Sequence, residues 1–216
     1  EMREKMAKAW GVRDLPGNVG FTMLEAMAAV PKGQVKGLYI MGENPMISEP
    51  DIHHVERELK SLDFLVVQDI FLTETAQLAD VVLPSACFAE KAGTFTNTER
   101  RVQLIRKAVE PPGQALADWE ILSAVATKLG YPMAYANAEA IFDEMASVTP
   151  SYGGMDFRRL AVEGLQWPCP TKDHPGAKYL HREKFVRGKG LFTAVEWIPP
   201  AEPTDESYPF TLTTGR

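Results

Sequence analysis

Three segments of the sequence carry polar side chains directly after short apolar runs: Glu43 to Pro45, Asp69 to Thr73, and Ser85 to Arg101. If the apolar runs are parallel strands, these segments lie together at the carboxyl edge of one sheet, where open α/β proteins bind their ligands. Carboxylate, amide and hydroxyl groups in that position can form hydrogen bonds with a ligand. The same residue types also form turns and helix caps, so their spacing alone leaves both roles open.

Other candidate groups indicate no particular reaction. His53 and His54 are neighbours on the solvent side of a predicted helix, and adjacent helical residues do not face one metal ion together. Glu90 and Lys91 could serve as an acid and a base, but no serine, cysteine or histidine stands at a spacing that defines a catalytic triad. The sequence contains neither the glycine fingerprint of dinucleotide-binding folds nor a P-loop.

Composition and charge limit the class of protein. The 216 residues are 45% hydrophobic and 24% charged, which is typical of a globular protein, and the formal net charge is -6. This acidic balance and the scattered basic residues disfavour a nucleic-acid partner. The apolar runs are far shorter than the roughly 18 residues of a membrane span. Cys87 and Cys169 have no metal-ligand spacing, so this chain alone supplies no zinc site or iron–sulfur cluster.

The apolar runs alternate with helical patterns. Thr22 and Glu25 form a capping box before one helix, and Ser48 is the predicted cap of a second helix, whose apolar stripe lies within 52–62. A short helical turn is predicted at 75–78. The alternation predicts a Rossmann-like, three-layer α/β fold with an open, mainly parallel sheet, flanking helices, and a helical and irregular C-terminal part. The predicted strands are 37–42, 63–68 and 80–84.

The pattern is less regular after the third strand. The polar stretch 91–101 is predicted to be a loop, followed by a strand at 102–105. Asp118 is the predicted cap of a helix that ends at Gly130. The apolar stripe of that helix consists of Trp119, Leu122, Val125 with Ala126, and Leu129, and only part of it is expected to be covered by the local sheet. Further predicted elements are helices at 137–146 and 156–163 and strands around 190–197 and from Tyr208 onward.

Five motifs occur in order along the chain and resemble those of the molybdopterin oxidoreductase family, in particular the catalytic alpha subunits of formate dehydrogenases. The resemblance continues through Gln166-Trp-Pro-Cys169 to the end of the chain. It implies a molybdenum or tungsten ion held by molybdopterin guanine dinucleotide, a nearby [4Fe–4S] cluster, formate as substrate, and an electron-transfer subunit or acceptor. The five motifs are 37–45, 66–76, 79–84, 90–103 and 118–122.

The resemblance also implies that this chain is an internal piece of a longer enzyme. The cluster cysteines and the metal ligand of the family have no counterpart here, so no catalytic or metal-binding residue is predicted in this chain, which is expected to be inactive alone. The sequence starts at Glu1 with no signal-peptide pattern after it, as expected of an internal piece whose targeting signal is not seen, and the cytoplasm is the favoured compartment. The expected divisions are a dinucleotide-binding α/β domain at 1–113, a helical segment facing the iron–sulfur domain at 114–147, the remainder of the α/β domain at 148–206, and the start of a β-barrel domain at 207–216.

The resemblance places the guanine-binding acid of the family at Asp69. One carboxylate can accept both the N1–H and the N2–H of a guanine edge, which adenine cannot offer. Thr73 resembles the companion hydroxyl of that site, while Asn97 and Arg101 belong to a polar loop that contacts the cofactor or braces the neighbouring domain. The alternatives are the large iron–sulfur subunit of a respiratory NADH dehydrogenase and another molybdopterin oxidoreductase such as a nitrate reductase. The implied cofactor-binding residues are Glu43, Asn44, Pro45, Asp69, Thr73, Asn97 and Arg101.

Overall fold

Three parallel strands form the sheet that the sequence predicts. In the computed structural model, β2 is the central strand and pairs with β1 on one side and with β3 on the other. The paired register runs from Gly37 opposite Phe64 to Asp69 opposite Pro84. All three strands therefore end at the same edge of the sheet, and the predicted α/β fold class is confirmed. The strands are β1 (Gly37–Met41), β2 (Phe64–Asp69) and β3 (Val81–Pro84).

Four helices precede or connect these strands. The predicted capping box before α2 is present, because the Glu25 amide donates to the Thr22 hydroxyl and the Glu25 carboxylate accepts from the Thr22 amide at 2.7 Å. The predicted cap at Ser48 is wrong. Ser48 ends a separate short helix, and Asp51 caps the next helix by accepting from the His54 amide at 3.0 Å. The helices are α1 (Met2–Ala9), α2 (Met23–Ala29), α3 (Pro45–Ser48) and α4 (Ile52–Lys60).

The two faces of the parallel sheet differ in how they are covered. On one face, Leu65 and Val67 of β2 are buried against Val55 and Leu59 of α4 and Met27 of α2, which forms the first core. Alternation along the strands places the neighbouring side chains on the opposite face. There, residues of all three strands remain more than a third exposed: Tyr39, Met41, Phe64 and Val81.

A second, antiparallel sheet was not predicted. The stretch expected to be a loop contains β4 (Gly93–Thr96), which pairs with β5 (Arg101–Ile105) in a hairpin. A two-residue strand, β6 (Leu165–Gln166), adds to the other side of β5. Neither β4 nor β6 has an apolar run long enough to signal a strand. These two strands are defined by their partner β5, whose Val102 is almost fully buried.

Three further helices match the prediction in number and approximate position, and two of them, α6 and α7, build a second core with β5. The predicted apolar stripe of α5 is only partly covered, since Leu122 and Leu129 are 38% and 82% exposed, whereas Ile121, which lies outside that stripe, is buried. Asp118, which is the first residue of α5 rather than its cap, is fixed by hydrogen bonds toward the sheet, and this turns Ile121 inward because it lies one helical turn later. The helices are α5 (Asp118–Lys128), α6 (Ala138–Val148) and α7 (Phe157–Glu163).

The structure describes residues 2–185, 187–199 and 203–212. The chain divides into two compact units, 1–178 and 179–216, and the expected domain divisions within them stay a prediction. In the second unit, residues 190–197 form no strand, so the strand predicted there is wrong, and 208–212 are also irregular, with the rest of that predicted strand outside the described residues. These segments alternate apolar and polar residues but have no partner strand in the described part of the unit. None of the described helices combines the length and apolar character of a membrane-spanning segment.

Candidate functional site

An open cleft of about 370 Å³ lies at the carboxyl edge of the parallel sheet. It is formed by the residues that end β1, β2 and β3, by the turn that follows β3, and by the first residue of α5. Its volume is within the range of ligand-binding clefts, and its position is the one expected for an open parallel sheet. The lining residues are Gly42, Gln68, Asp69, Ile70, Phe71, Ser85, Ala86, Cys87, Phe88, Lys91, Phe95 and Asp118.

Asp69, the last residue of β2, is half-buried in the wall of this cleft. Its Oδ1 accepts a hydrogen bond from the Phe71 amide at 3.0 Å, which holds the carboxylate in a fixed orientation. Within the described ranges, no cation and no other donor pairs with its Oδ2. Asp69 therefore presents a partly satisfied carboxylate to a cleft at the end of a strand, in the position that the sequence predicts.

A polar network begins at Gln68, the residue before Asp69 in β2, which also lines the cleft. Gln68 is fully buried, its Oε1 accepts from the Tyr39 hydroxyl, and its Nε2 donates to Asp118 Oδ1 at 2.8 Å. The other oxygen of Asp118 accepts from Lys91 Nζ. The network thus connects β1, β2, the start of α5 and the segment before β4, so four separate parts of the chain are held together at this edge.

The ionisation of the network follows from its contacts. Burial alone would raise the pKa of Asp118, but the hydrogen bonds from Lys91 and Gln68 and the charge of Lys91 outweigh it, so the pKa is lowered. The pKa of Tyr39 is raised by burial and by the nearby negative charge of Asp118. Asp118 is therefore an anion and Tyr39 a neutral phenol near neutral pH, which fixes the direction of each hydrogen bond. The Ser85 hydroxyl is buried without a hydrogen bond of good geometry, but it lies close enough to Asp118 to help lower that pKa.

The upper walls of the cleft are aromatic. Phe71, Phe88 and Phe95 line it and are each at least half exposed. The rings of Phe88 and Phe95 lie 6.3 Å apart between centroids and are tilted by 55°. Exposed phenyl rings around a polar floor are suited to a flat, heteroaromatic group, because the rings cover its faces while the polar groups hydrogen-bond its edge.

The polar residues after β1 serve mainly to join two loops. Asn44 Nδ2 donates to Glu74 at 2.8 Å, and Asn44 Oδ1 accepts from the Thr75 hydroxyl at 2.7 Å. Pro45 is fully buried at the start of α3, and Glu43 is exposed. None of these predicted site residues lines the cleft.

Thr73 also lies outside the lining of the cleft. It is half-buried, and its hydroxyl oxygen accepts from the Ala76 amide at 3.1 Å. This contact starts the short helical turn Ala76–Leu78. The hydroxyl proton of Thr73 remains available as a donor, since Oγ1 acts only as an acceptor in this bond.

Asn97 and Arg101 define the turn of the β4–β5 hairpin. Asn97 Oδ1 accepts from the Arg101 amide at 2.9 Å, and the Arg101 guanidinium binds Glu99 at 2.8 Å. The neighbouring Arg100 donates to the backbone carbonyls of Trp167 and Ala177 and thereby attaches the later part of the unit to the hairpin. The contacts of Asn97 and Arg101 thus stabilise the turn itself, and neither residue lines the cleft.

Of the charged groups in the cleft, the sequence predicts Asp69 as a ligand-binding residue but not Lys91 or Asp118. The sequence places Gln68 in a strand, Lys91 among unassigned bases and Asp118 at a helix start. Nothing in their spacing shows that the three side chains meet. The signal that could have found them is their position, because Gln68 lies near the end of a strand and Asp118 at the start of a helix. Among the described residues, no group of three or more histidine, cysteine or acidic side chains is arranged to hold a metal ion.

The fold is that of an α/β protein with an open cleft at the ends of its parallel strands. The family model for molybdopterin oxidoreductases matches residues 3–128, which include all three parallel strands and every residue of the cleft. The chain belongs to the molybdopterin oxidoreductase family. Family membership implies a molybdopterin cofactor.

Curated relatives give a finer comparison. The chain is 56% identical over 216 residues to the F420-dependent formate dehydrogenase subunit alpha of Methanocaldococcus jannaschii, covering 98% of this chain and 32% of the relative. It is 40% identical to formate dehydrogenase H of Escherichia coli, covering 99% of this chain and 31% of the relative. It is 39% identical to the assimilatory nitrate reductase catalytic subunit of Bacillus subtilis, covering 100% and 32%. The chain thus spans about a third of the length of these relatives.

A solved structure supports the fold. Acetylene hydratase from Pelobacter acetylenicus superposes with a TM-score of 0.53 over 73% of this chain and 22% of that chain, at 22% sequence identity. At this identity the likeness concerns the fold alone.

Proposed function

We propose that this chain is part of the catalytic alpha subunit of a formate dehydrogenase, and that its cleft binds the guanine end of molybdopterin guanine dinucleotide. The proposal is supported by the 56% identity to a formate dehydrogenase alpha subunit over nearly the whole chain. The observation that carries the guanine assignment is the Asp69 carboxylate, held through Oδ1 at the end of β2 with Oδ2 facing no donor in the described part of the chain.

The cleft fits a guanine group in three respects. Asp69 can accept two adjacent N–H groups, the Phe71, Phe88 and Phe95 rings can cover the faces of a planar base, and the opening is large enough for one. The carboxylate gives selectivity, because the corresponding edge of adenine offers an acceptor in place of one donor. Asp69 needs no other partner for this role, which agrees with the lack of an ion pair at its side chain among the described residues.

The remaining predicted residues are assigned to the surroundings of the cofactor. Thr73 keeps a free hydroxyl donor, and Glu43 is an exposed carboxylate after β1. Asn44 and Pro45 shape the loop between them through the contacts with Glu74 and Thr75. Asn97 and Arg101 are proposed to face parts of the cofactor beyond guanine, from the hairpin turn that they stabilise.

The whole enzyme is proposed to oxidise formate to carbon dioxide and to pass two electrons to a partner subunit or acceptor. The cofactor with its molybdenum or tungsten ion would supply the two-electron redox chemistry, and a [4Fe–4S] cluster would conduct the electrons onward. This chain contributes neither metal ligands nor cluster ligands in the proposal. Its residues bind and orient the dinucleotide in a protein that we place in the cytoplasm, with 1–113 as the dinucleotide-binding domain.

Nucleotide binding to the full chain tests the guanine assignment. We expect guanosine monophosphate to bind more tightly than adenosine monophosphate in titration calorimetry. Asp69→Asn should weaken guanosine monophosphate binding by about 10- to 150-fold, because it removes a charge-assisted hydrogen bond worth about 1.5–3 kcal/mol. Asp63→Asn is the matched control, since Asp63 is exposed at the opposite end of β2 and its replacement changes the charge equally. Equal binding of the two nucleotides, or no effect of Asp69→Asn, would contradict the assignment.

A second experiment tests the reaction. The 216-residue chain alone should contain no stoichiometric molybdenum, tungsten or iron and should not reduce a dye with formate. The longer protein should reduce the dye with formate. It should not oxidise the reduced dye with nitrate. Nitrate-dependent turnover would instead favour the nitrate reductase alternative, which the 39% identity to such a subunit supports. A longer protein that contains no pterin would favour the structural iron–sulfur subunit.

A further inference from the structure

The charges of the cleft carry a further inference. The residues that line it include two carboxylates, Asp69 and Asp118, and one ammonium group, Lys91, so the lining has a formal charge of one negative unit. Lys91 is the only cation in this lining. A lysine in a nucleotide-sized cleft would ordinarily attract phosphate, since its ammonium group is a compact positive charge.

Lys91 is not free to do so, because Asp118 binds it. The Lys91 and Asp118 side chains are 26% and 33% exposed, so their ion pair is screened by solvent less than a surface pair. Gln68 Nε2 holds the other oxygen of Asp118 at 2.8 Å, and the Tyr39 hydroxyl fixes the orientation of the Gln68 amide. The carboxylate that neutralises Lys91 is thus itself held in place by a fully buried side chain.

We propose that Asp118 determines the ligand specificity of the cleft by holding and neutralising Lys91, so that the cleft accepts an uncharged group bearing N–H donors and rejects free anions. Asp69 then remains the one charge without a counter-ion in the lining, and it attracts donors. The inference deepens the proposed function and rests on it for the kind of ligand. It assigns the diphosphate of the dinucleotide to a position away from Lys91.

Asp118→Asn tests this role in the full chain, with pyrophosphate as the probe. The asparagine carbonyl can still accept from Gln68, but its amide cannot bind Lys91, so the ammonium group is released into the cleft. We expect pyrophosphate to bind at least about tenfold more tightly to Asp118→Asn than to the unmodified chain, which should show no saturable binding. The gained affinity should fall as the salt concentration rises, because a partly exposed charge is screened.

Two variants separate this effect from a general change in charge. The double variant Lys91→Met with Asp118→Asn should lose the gained pyrophosphate binding, since the released cation is gone. Glu56→Gln frees Lys60 from its ion pair on α4, outside the cleft, and changes the net charge by the same unit. It should gain no pyrophosphate binding. If Asp118→Asn does not fold, as judged by circular dichroism, Asp118→Ser provides the same test with a smaller side chain.

The inference would be overturned by a folded Asp118→Asn or Asp118→Ser chain without gained pyrophosphate binding. It would also be overturned if the double variant kept the gain, or if Glu56→Gln showed an equal one. Different results would contradict the proposed function: equal binding of guanosine and adenosine monophosphates, or guanosine monophosphate binding that Asp69→Asn does not change. A measured gain for pyrophosphate does not depend on either nucleotide.

Discussion

The first unit contains two hydrophobic cores that are built in different ways. The first core, between the parallel sheet and helices α2 and α4, contains buried residues from one continuous stretch, 27–76. The second core joins β5 to α6, α7 and the segment that follows them, with buried residues from 102–169. The first core is formed by apolar side chains of the strands and of the helices that pack on them. The second also requires polar anchors that bind the backbone of its irregular segments.

Two arginines provide those anchors. Arg100 donates to carbonyls in the segment after β6, and Arg159 donates to the carbonyls of Gly154 and His174, the latter at 2.7 Å. Irregular backbone leaves carbonyl groups without partners, and a guanidinium can satisfy several of them at once. The two cores therefore have different roles: the first core carries the strand ends that form the cleft, while the second supports the β4–β5 hairpin.

The largest expected effect tests whether the two cores are separate. Phe142→Ala removes a ring that is buried against Tyr152 and Phe157 at centroid distances of 6.3 and 5.7 Å. We expect a loss of about 3–5 kcal/mol in the free energy of unfolding. Hydrogen exchange should show the loss of protection in the second core before the first.

Leu129→Ala serves as the control for that experiment, because Leu129 is 82% exposed. Its effect should be within about 0.5 kcal/mol. Equal loss of protection in both cores of Phe142→Ala would show that they unfold as one unit.

A smaller effect tests the arginine anchors. Arg159→Met should lower the free energy of unfolding by about 1.5–3 kcal/mol, because the carbonyls of Gly154 and His174 lose a charged donor. The Cys169 thiol, which is fully buried beside this guanidinium, should react faster with a thiol reagent. Arg158→Met is the matched control, as Arg158 is exposed on the same helix. A Cys169 thiol that stays equally protected in both variants would argue against the anchoring role.

The smallest effect concerns acid, and both cores are expected to respond with the same sign. The pKa of Asp156 is lowered chiefly by its hydrogen bond with Lys172, and that of Asp118 is lowered by Lys91 and Gln68 against the effect of burial. A lowered folded-state pKa stabilises the protein above the unfolded value of 3.8, and this contribution is lost as the pH falls through the folded value.

Urea unfolding at about pH 7 and about pH 3 measures this contribution. The stability difference between the unmodified chain and Asp118→Asn, and likewise Asp156→Asn, should shrink at the lower pH. A difference that stays constant or grows would mean that these carboxylates do not stabilise the fold through their charge.

The two cores also differ in how far the sequence predicts them. The strands of the first core have apolar runs such as Phe64–Asp69 that can be recognised locally, and their order places Asp69 at the cleft. The two-residue strand Leu165–Gln166 exists because it pairs with the distant β5, and such long-range pairing leaves no local pattern. The strand Gly93–Thr96 pairs with β5 in a hairpin, but Phe95 is its one large apolar residue, so its sequence does not resemble a strand.

The candidate site, too, could be predicted from the sequence only in part. Asp69 was predictable because a strand end and a family motif coincide there. Lys91 and Asp118 are 27 positions apart in the chain, and Gln68 and Asp118 are 50 apart, so their contact is decided by packing. The burial of Ile121 on α5 was not predictable for the same reason, because it accompanies the contacts of Asp118 with Gln68 and Lys91 and not the apolar stripe that contains Leu122.

The central claim is that Asp69 and its cleft, rather than the hairpin turn, bind guanine. The most direct measurement is the change in backbone amide NMR shifts of the full chain on addition of guanosine monophosphate. We expect changes at 68–71 and 85–88, and none at 97–101, because guanosine monophosphate lacks the pterin part of the cofactor. In Asp69→Asn the same changes should require about 10- to 150-fold more guanosine monophosphate. Shift changes centred on the hairpin turn, or cleft changes that saturate at the same concentration in Asp69→Asn, would contradict the account.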